Sequence, residues 1–195
     1  HLPLNAFQTR RSLTIKMKIY SSNIFVVIIL GGVALLIIAS MAIAMTKNIG
    51  GERSGIVRSN IKIGSDFSLQ DLSGETFHLA EHSSKPIFLY FWASWCAPCK
   101  NEAPVIQKIW SEYERKGYLF VGVNVWDSEK SARKFVNEYD ITFPIVIDEG
   151  DTYIDYGVYA LPEAFFLKKN LEIDAKYIGA LSEKQLRIRL DQITK

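Results

Sequence analysis

The sequence contains only two cysteines, and their position limits what the chain can form more than any other feature. Cys96 and Cys99 stand three residues apart, shortly after a continuous apolar run at residues 87–92. Such a run is typical of a strand that is covered on both faces of a sheet. Apolar residues at helical spacing follow between positions 105 and 113, and Gly117 ends the pattern. The sequence therefore predicts a helix that begins at the cysteine pair, directly behind a buried strand.

The cysteine pair favours a chemical role over a structural one. A disulfide across two intervening residues closes a very short loop, so it removes little conformational entropy from the unfolded chain. At a helix start, free backbone N–H groups and the positive end of the helix dipole stabilise a thiolate. We therefore predict that Cys96 is the solvent-accessible attacking thiolate and that Cys99, one turn further in, is the resolving thiol. Pro98 fits the first turn, where its missing N–H breaks no hydrogen bond, and Trp95 is predicted to form the rim of the site.

The remaining pattern predicts the fold class. Residues 65–195 alternate between strand and helix patterns, in the order βαβαβ followed by ββα. This order predicts an α/β domain with a central mixed sheet and helices on both faces. Apolar residues on either side of Ser73-Gly74 predict a small hairpin ahead of the sheet. Ser128 is predicted to begin one helix, and Ser182 with Gln185 to form a capping box at the start of the last.

The N-terminal part predicts a membrane anchor. Residues 24–45 carry no charge, and as a transmembrane helix they would reach about 33 Å, enough for a hydrocarbon core of about 30 Å. Residues 1–23 contain four bases and no acid, so this segment is expected to stay in the cytoplasm while the remainder is exported. Two alternatives stay open, because Ala42-Ile43-Ala44 is similar to the end of a cleaved signal peptide and Arg10-Arg11 to a twin-arginine export signal.

The connector and the overall charge complete the domain assignment. Residues 46–64 are polar and rich in glycine, which predicts a flexible linker with an end-to-end distance of about 24 Å. Residues 65–195 then form the exported domain. From residue 46 onward the chain contains 19 of its 23 lysines and arginines and all 21 of its acids, so this part of the chain is mildly acidic. This charge balance argues against a nucleic-acid partner.

No metal or cofactor is expected. Two cysteines cannot form an all-thiolate zinc site. His78 and His82 stand four residues apart and would have to join the cysteines as ligands. Because His78 falls on a predicted strand and His82 beyond its end, we interpret both rings as surface side chains.

Two stretches of sequence resemble a known family. Residues 91–104, Phe-Trp-Ala-Ser-Trp-Cys-Ala-Pro-Cys-Lys-Asn-Glu-Ala-Pro, resemble the thioredoxin fold and, more narrowly, the membrane-anchored TlpA/ResA/CcmG (DsbE) group of thiol–disulfide oxidoreductases. Residues 157–163, Gly-Val-Tyr-Ala-Leu-Pro-Glu, are similar to a Gly-Val-Tyr-x-x-Pro-Glu stretch of the CcmG type. The likeness extends over about residues 64–193 and includes a strand–helix insertion at residues 119–139. It implies a thioredoxin-like fold with a redox-active Cys96–Cys99 disulfide.

The resemblance also implies roles for residues outside the cysteine motif. A cis peptide bond between Leu161 and Pro162 would lie beside the cysteines, and the neighbouring backbone would pair with an extended client peptide. Glu102 matches an acid one turn beyond the second cysteine, and Glu163 matches the acid after the cis-proline. A carboxylate near thiols opposes thiolate formation and can carry a proton. The alternative is that Glu102 only complements the helix dipole and that Glu163 is an ordinary exposed acid.

Two positions depart from the pattern of the relatives. Thioredoxins keep a buried aspartate at the position of Tyr90, so the usual proton relay of thioredoxin is not expected here. Glu102 is the predicted substitute for that aspartate. Ala164 stands where relatives often carry threonine, which affects contacts to the client backbone.

The resemblance implies a protein-disulfide reductant on the periplasmic, extracytoplasmic face of a bacterial cytoplasmic membrane. Its expected partners are apocytochrome c, whose CxxCH haem site it would reduce during cytochrome c biogenesis, and a membrane thiol electron transporter of the CcdA/DsbD kind. The N-terminal helix would contact the lipid bilayer. Two alternatives stay open: reduction of another exported protein, and a binding module or chaperone that holds apocytochrome c in the cis-proline groove. A Sco-like copper carrier is disfavoured because no histidine follows His82.

Overall fold

The structure, a computed structural model, describes residues 25–41, 55–57 and 61–194. The chain divides into two units, His1–Glu52 and Arg53–Lys195. In the first unit, residues 25–41 form helix α1. Among the residues described, no helix combines the length and the apolar character that crossing a bilayer requires. The predicted N-terminus 1–23, and residues 24 and 42–45 of the predicted membrane span 24–45, lie outside the described residues.

The second unit is built on a mixed sheet, as the strand and helix pattern predicts. The strands described are β1 (Gly55–Val57), β2 (Ser68–Gln70), β3 (Thr76–His78), β4 (Ile87–Trp92), β5 (Leu119–Asn124), β6 (Ile145–Ile147), β7 (Glu163–Leu167) and β8 (Ile173–Ile178). Six of them form one sheet in the order β1-β8-β7-β4-β5-β6. Strands β4, β5 and β6 are parallel, whereas β7 runs antiparallel to β4, and β8 and β1 continue the antiparallel side. This arrangement is that of a thioredoxin-like α/β fold.

Three of the four helices described in this unit begin where the sequence predicts. The four are α2 (Ala97–Tyr113), α3 (Glu129–Glu138), α4 (Thr152–Asp155) and α5 (Glu183–Gln192). Ser128 caps α3 by accepting the Ser131 N–H, and Ser182 and Gln185 form the predicted capping box of α5. A short 3₁₀ turn extends α2 as far as Gly117, whose φ of 85° reverses the chain direction.

The core lies on both faces of the sheet because β4 is buried along its whole length. Phe88, Tyr90 and Trp92 pack on the face that carries α2, α3 and α5. Leu89 and Phe91 point to the opposite face, since successive side chains of a strand alternate. A continuous apolar run is the expected sequence of a strand in this central position.

Two short elements lie at the edges of the sheet. The predicted hairpin is present as β2 and β3, and it contacts edge strand β6 through a hydrogen bond from the Leu72 N–H to the Ile145 carbonyl oxygen, 3.2 Å. On the other side, Gly55–Val57 pairs with β8, although these residues fall inside the predicted flexible linker 46–64. Three residues carry no periodicity that a sequence pattern can reveal, because edge pairing uses backbone hydrogen bonds.

Candidate active site

The cysteine pair lies at the point where β4 gives way to α2. Cys96 is the N-cap residue of α2, and it forms a disulfide with Cys99, with the two Cα atoms 5.3 Å apart. The Cys99 N–H donates to the Cys96 sulfur at 3.3 Å, so one free donor of the helix start points at this atom. Pro98 occupies the first turn of the helix. The structure thus places Cys96 in the field that favours a thiolate.

Both sulfur-bearing residues are nearly covered in this oxidised form. Cys96 is 3% exposed and Cys99 is fully buried, so the order of exposure is the one expected of an attacking and a resolving cysteine. The expectation that Cys96 is solvent-accessible is wrong for this state, because the residue belongs to the apolar core cluster and its N–H donates to the Ala93 carbonyl oxygen at 3.2 Å. Only a small part of Cys96 is therefore open to a client disulfide in this state.

The loop between β4 and Cys96 is held by Asp127, which follows β5. Its carboxylate accepts the Ser94 backbone N–H at 2.6 Å and the Ser94 hydroxyl at 3.0 Å. Asn124 and the Ser128 N–H donate to the same carboxylate. Burial alone would raise the pKa of Asp127, but these hydrogen bonds outweigh it and lower the pKa. An ionised Asp127 therefore holds the loop that leads from β4 to the Cys96–Cys99 disulfide.

Trp95 forms an exposed rim next to the cysteines. The side chain is 58% exposed, and its indole N–H donates to the Trp126 carbonyl oxygen at 2.8 Å. Trp126 is itself 43% exposed, and its ring meets Tyr153 edge to face. Trp95 is thus joined to an aromatic group that comes from two other segments of the chain.

Glu102 lies one turn beyond Cys99 on α2, on the face of the helix that enters the core. One carboxylate oxygen accepts the Tyr90 hydroxyl at 2.7 Å, and the other accepts the Leu181 backbone N–H at 2.7 Å. Burial raises the pKa of Glu102 to about 7, although both hydrogen bonds act to lower it. Burial next to this carboxylate also raises the pKa of Tyr90, so its hydroxyl stays protonated and remains a donor. Glu102 is thus a carboxyl group that exchanges its proton near neutral pH.

The Leu161–Pro162 peptide bond is cis, as the resemblance implied. Pro162 directly precedes β7, and its carbonyl oxygen accepts the Gly179 N–H at 2.8 Å. Leu161 is partly buried and packs against the apolar clusters of both sheet faces. This loop therefore sits at the same end of the sheet as the cysteine pair, because β7 begins beside the end of β4.

Glu163 does not share the environment of Glu102. In the register of β4 and β7, Glu163 lies opposite Phe91, whereas Ala164 lies opposite Tyr90. Its side chain therefore points to the other face of the sheet, where it is fully buried and paired with Lys176, with 2.6 Å between Nζ and Oε2. The structure therefore contradicts both predictions for Glu163: it is not an exposed acid, and its carboxylate does not lie on the Glu102 side of the sheet.

Sequence reasoning missed three residues that organise this end of the sheet. Tyr90 replaces the buried aspartate of thioredoxins, and this replacement is the signal in the sequence that points to its contact with Glu102. Asp127 stands just after a parallel strand, where the ends of β4 and β5 meet, and that position could have identified it. Lys176 shares the polar side of an alternating strand, Ile-Asp-Ala-Lys-Tyr, with Asp174, so no signal in the sequence marks it as buried.

Comparison with known proteins agrees with this geometry. Residues 62–176 match the AhpC/TSA family. Over 165 residues the chain is 31% identical to the thiol-disulfide oxidoreductase ResA of Geobacillus thermodenitrificans, covering 83% of this chain and 92% of that protein. It is 39% identical over 129 residues to the thioredoxin-like protein YneN of Bacillus subtilis, covering 65% and 75% of the two chains.

A solved structure extends the likeness to the fold. A secreted disulfide oxidoreductase of Mycobacterium tuberculosis, described as homologous to the DsbE of E. coli, superposes with a TM-score of 0.60 at 26% identity. The match covers 65% of this chain and 95% of that one. With its Cys96–Cys99 pair at the start of α2, the chain belongs to the AhpC/TSA family and, within it, to the thiol–disulfide oxidoreductases of the ResA/DsbE type.

Proposed function

We propose that this thiol–disulfide oxidoreductase works as a reductant in cytochrome c maturation. The client would be the CxxCH haem site of apocytochrome c, presented in its disulfide form. The direction of electron transfer is argued from the buried Glu102, which lies one helical turn beyond the resolving Cys99. The pKa of Glu102 is raised to about 7 by burial. A negative charge on Glu102 disfavours a thiolate at the neighbouring Cys99. A dithiol whose thiolates are poorly stabilised is a stronger reductant than one whose thiolates are well stabilised.

The proposed reaction starts from the reduced pair. The Cys96 thiolate attacks one sulfur of the client disulfide, forms a mixed disulfide and releases the other client sulfur as a thiolate. Cys99 then gives its proton to the Glu102 carboxylate and attacks the Cys96 sulfur. The mixed disulfide breaks, the second client sulfur leaves as a thiolate, and the Cys96–Cys99 disulfide remains. Two electrons thus pass from the protein to the client.

The proposed setting is the outer face of the cytoplasmic membrane. The uncharged stretch 24–45 and the four bases ahead of it support a single membrane anchor with the N-terminus inside. Exported compartments favour disulfides, so a reductant there needs a continuous supply of electrons. We propose a membrane thiol transporter of the CcdA/DsbD kind as the donor, which would reduce the Cys96–Cys99 disulfide after each turnover.

Mixed-disulfide trapping tests the client. Without its resolving thiol, full-length Cys99→Ser remains joined to the client through Cys96. Haem-free cytochrome c captured by this variant, and absent from Cys96→Ser/Cys99→Ser, is the expected result. Capture of other exported proteins alone would refute the client assignment. In cells, Cys96→Ala/Cys99→Ala is expected to abolish cytochrome c maturation, and unchanged maturation would instead favour a binding module or chaperone.

A further inference from the structure

We propose that Glu163 and Lys176 are positioning residues for client binding, because their buried ion pair fixes the backbone that leads into the cis-proline. This inference rests on the proposed function, since it concerns how the same site holds a client peptide. It assigns to Glu163 a role other than proton transfer to the cysteines.

The two residues meet by the register of neighbouring strands. In the β7–β8 pair, Glu163 lies opposite Ile178 and Phe165 lies opposite Lys176. Glu163 and Lys176 are therefore diagonal neighbours on one face, a spacing that a long side chain can bridge. Nζ of Lys176 and Oε2 of Glu163 are 2.6 Å apart, and the side chain of Lys176 is 8% exposed whereas that of Glu163 is fully buried. Each charge is thus neutralised within the core.

Both partners also hold the loop that precedes the cis-proline. The Oε1 atom of Glu163 accepts the N–H groups of Tyr159 and Ala160 at 3.2 and 3.1 Å. Lys176 donates to the Gly157 carbonyl oxygen at 2.6 Å. Three backbone groups from four consecutive residues are therefore tied to one ion pair.

The arrangement presents one aromatic side chain to solvent. Tyr159 is 70% exposed, and its ring centroid lies 5.1 Å from the Lys176 ammonium group. Its backbone is held by the ion pair, and most of its side chain is open to solvent although the ring also contacts Lys176. Tyr159 stands three residues before Pro162, so the ion pair anchors the segment that leads to the backbone with which a client would pair.

An apolar pair would still pack between the two strands, but the loop would lose its three contacts. Replacement of a buried ion pair by apolar residues of similar volume is often neutral for stability, whereas removal of one partner leaves an unpaired buried charge. The two acceptor contacts and the one donor contact to residues 157–160 exist only with the charged pair. We therefore expect the pair to matter for client binding more than for folding.

The test separates these two effects with the paired variant Glu163→Leu/Lys176→Met in the full chain. Pre-reduced protein is mixed with a peptide that carries a CxxCH disulfide and, separately, with the small chromogenic disulfide dithiobis(nitrobenzoic acid). The peptide concentration at half-maximal rate is expected to rise about tenfold with an unchanged limiting rate. The rate with the small disulfide is expected to match that of the wild type.

Lys168→Met is the matched control, because Lys168 forms a partly exposed ion pair with Asp174 in the same hairpin. This control is expected to behave as the wild type with both disulfides. If the paired variant reduces the peptide and the small disulfide with equally lowered rates, or reduces both as fast as the wild type, the positioning role is overturned. Wild-type protein that fails to reduce the peptide at all would instead overturn the proposed function, and the positioning role with it.

Discussion

Replacing Glu102 by glutamine is expected to make the oxidised protein more stable at alkaline pH. Folding raises the pKa of this carboxyl group from 4.5 to about 7, and each unit of pKa corresponds to about 1.4 kcal/mol. The folded state therefore loses about 3 kcal/mol at high pH by holding an ionised Glu102 in the core. Glutamine avoids this loss and keeps both contacts, since its oxygen can accept the Leu181 N–H and its amide can donate to the Tyr90 hydroxyl oxygen.

The sign of the pH dependence follows from the raised pKa. Below pH 4.5 the carboxyl group is protonated in both states, and its full contribution to stability is present. As pH rises towards 7, the unfolded chain loses its proton first, so the stability of the wild type falls; above 7 the difference is constant. Between pH 5 and 8, the wild type should lose about 2.5 kcal/mol relative to Glu102→Gln.

Urea unfolding followed by tryptophan fluorescence measures this difference in the full, oxidised chain. Between pH 5 and 8, the midpoint of Glu102→Gln is expected to move upward relative to the wild type by about 1 to 2 M urea. Glu114→Gln is the control, because Glu114 is an exposed acid immediately after the same helix. A gap between Glu102→Gln and wild type that stays the same at every pH would show that Glu102 ionises normally and would refute the reasoning.

Two further predictions concern the residues around the disulfide. Tyr90→Phe removes the hydroxyl donor to Glu102, so the pKa of Glu102 should rise further. The pH-dependent loss of stability should still begin near pH 4.5 but should continue to a higher pH and become larger, measured by the same urea titration. Asp127→Ala removes the acceptor that holds Ser94 and should lower the free energy of unfolding by about 2 to 3 kcal/mol at pH 7. Glu138→Ala, an exposed acid on α3, should change it by less than about 0.5 kcal/mol, and an equal loss in both variants would contradict this assignment.

Local rules of sequence predicted most of the fold. The apolar run of β4, the capping serine at Ser128 and the glycine at Gly117 each act over a few residues, so the pattern alone reveals them. The cysteine pair belongs to this class, because its chemistry comes from the helix start on which it stands. The cis bond at Pro162 came from the family resemblance and not from any local rule.

The contacts that tune the site could not be predicted because they depend on strand register. The sequence places Glu163 directly after the cis-proline but does not reveal which face of the sheet it enters. A shift of one residue along a strand exchanges the two faces, so Glu163 and Glu102 would share a face in one register and not in the other. The partners Tyr90 and Lys176 are 12 and 13 residues away from the acids they contact, on separate elements.

The hairpin beside β6 has a consequence for the protein at high concentration. An uncovered edge strand exposes unpaired N–H and C=O groups, to which a second chain can add and start aggregation. Here the turn of the hairpin lies against β6, with Asp71 bridged to Val146 and Leu72 bonded to Ile145. The small hairpin thus covers the edge of β6 and prevents two copies of the protein from pairing at this strand.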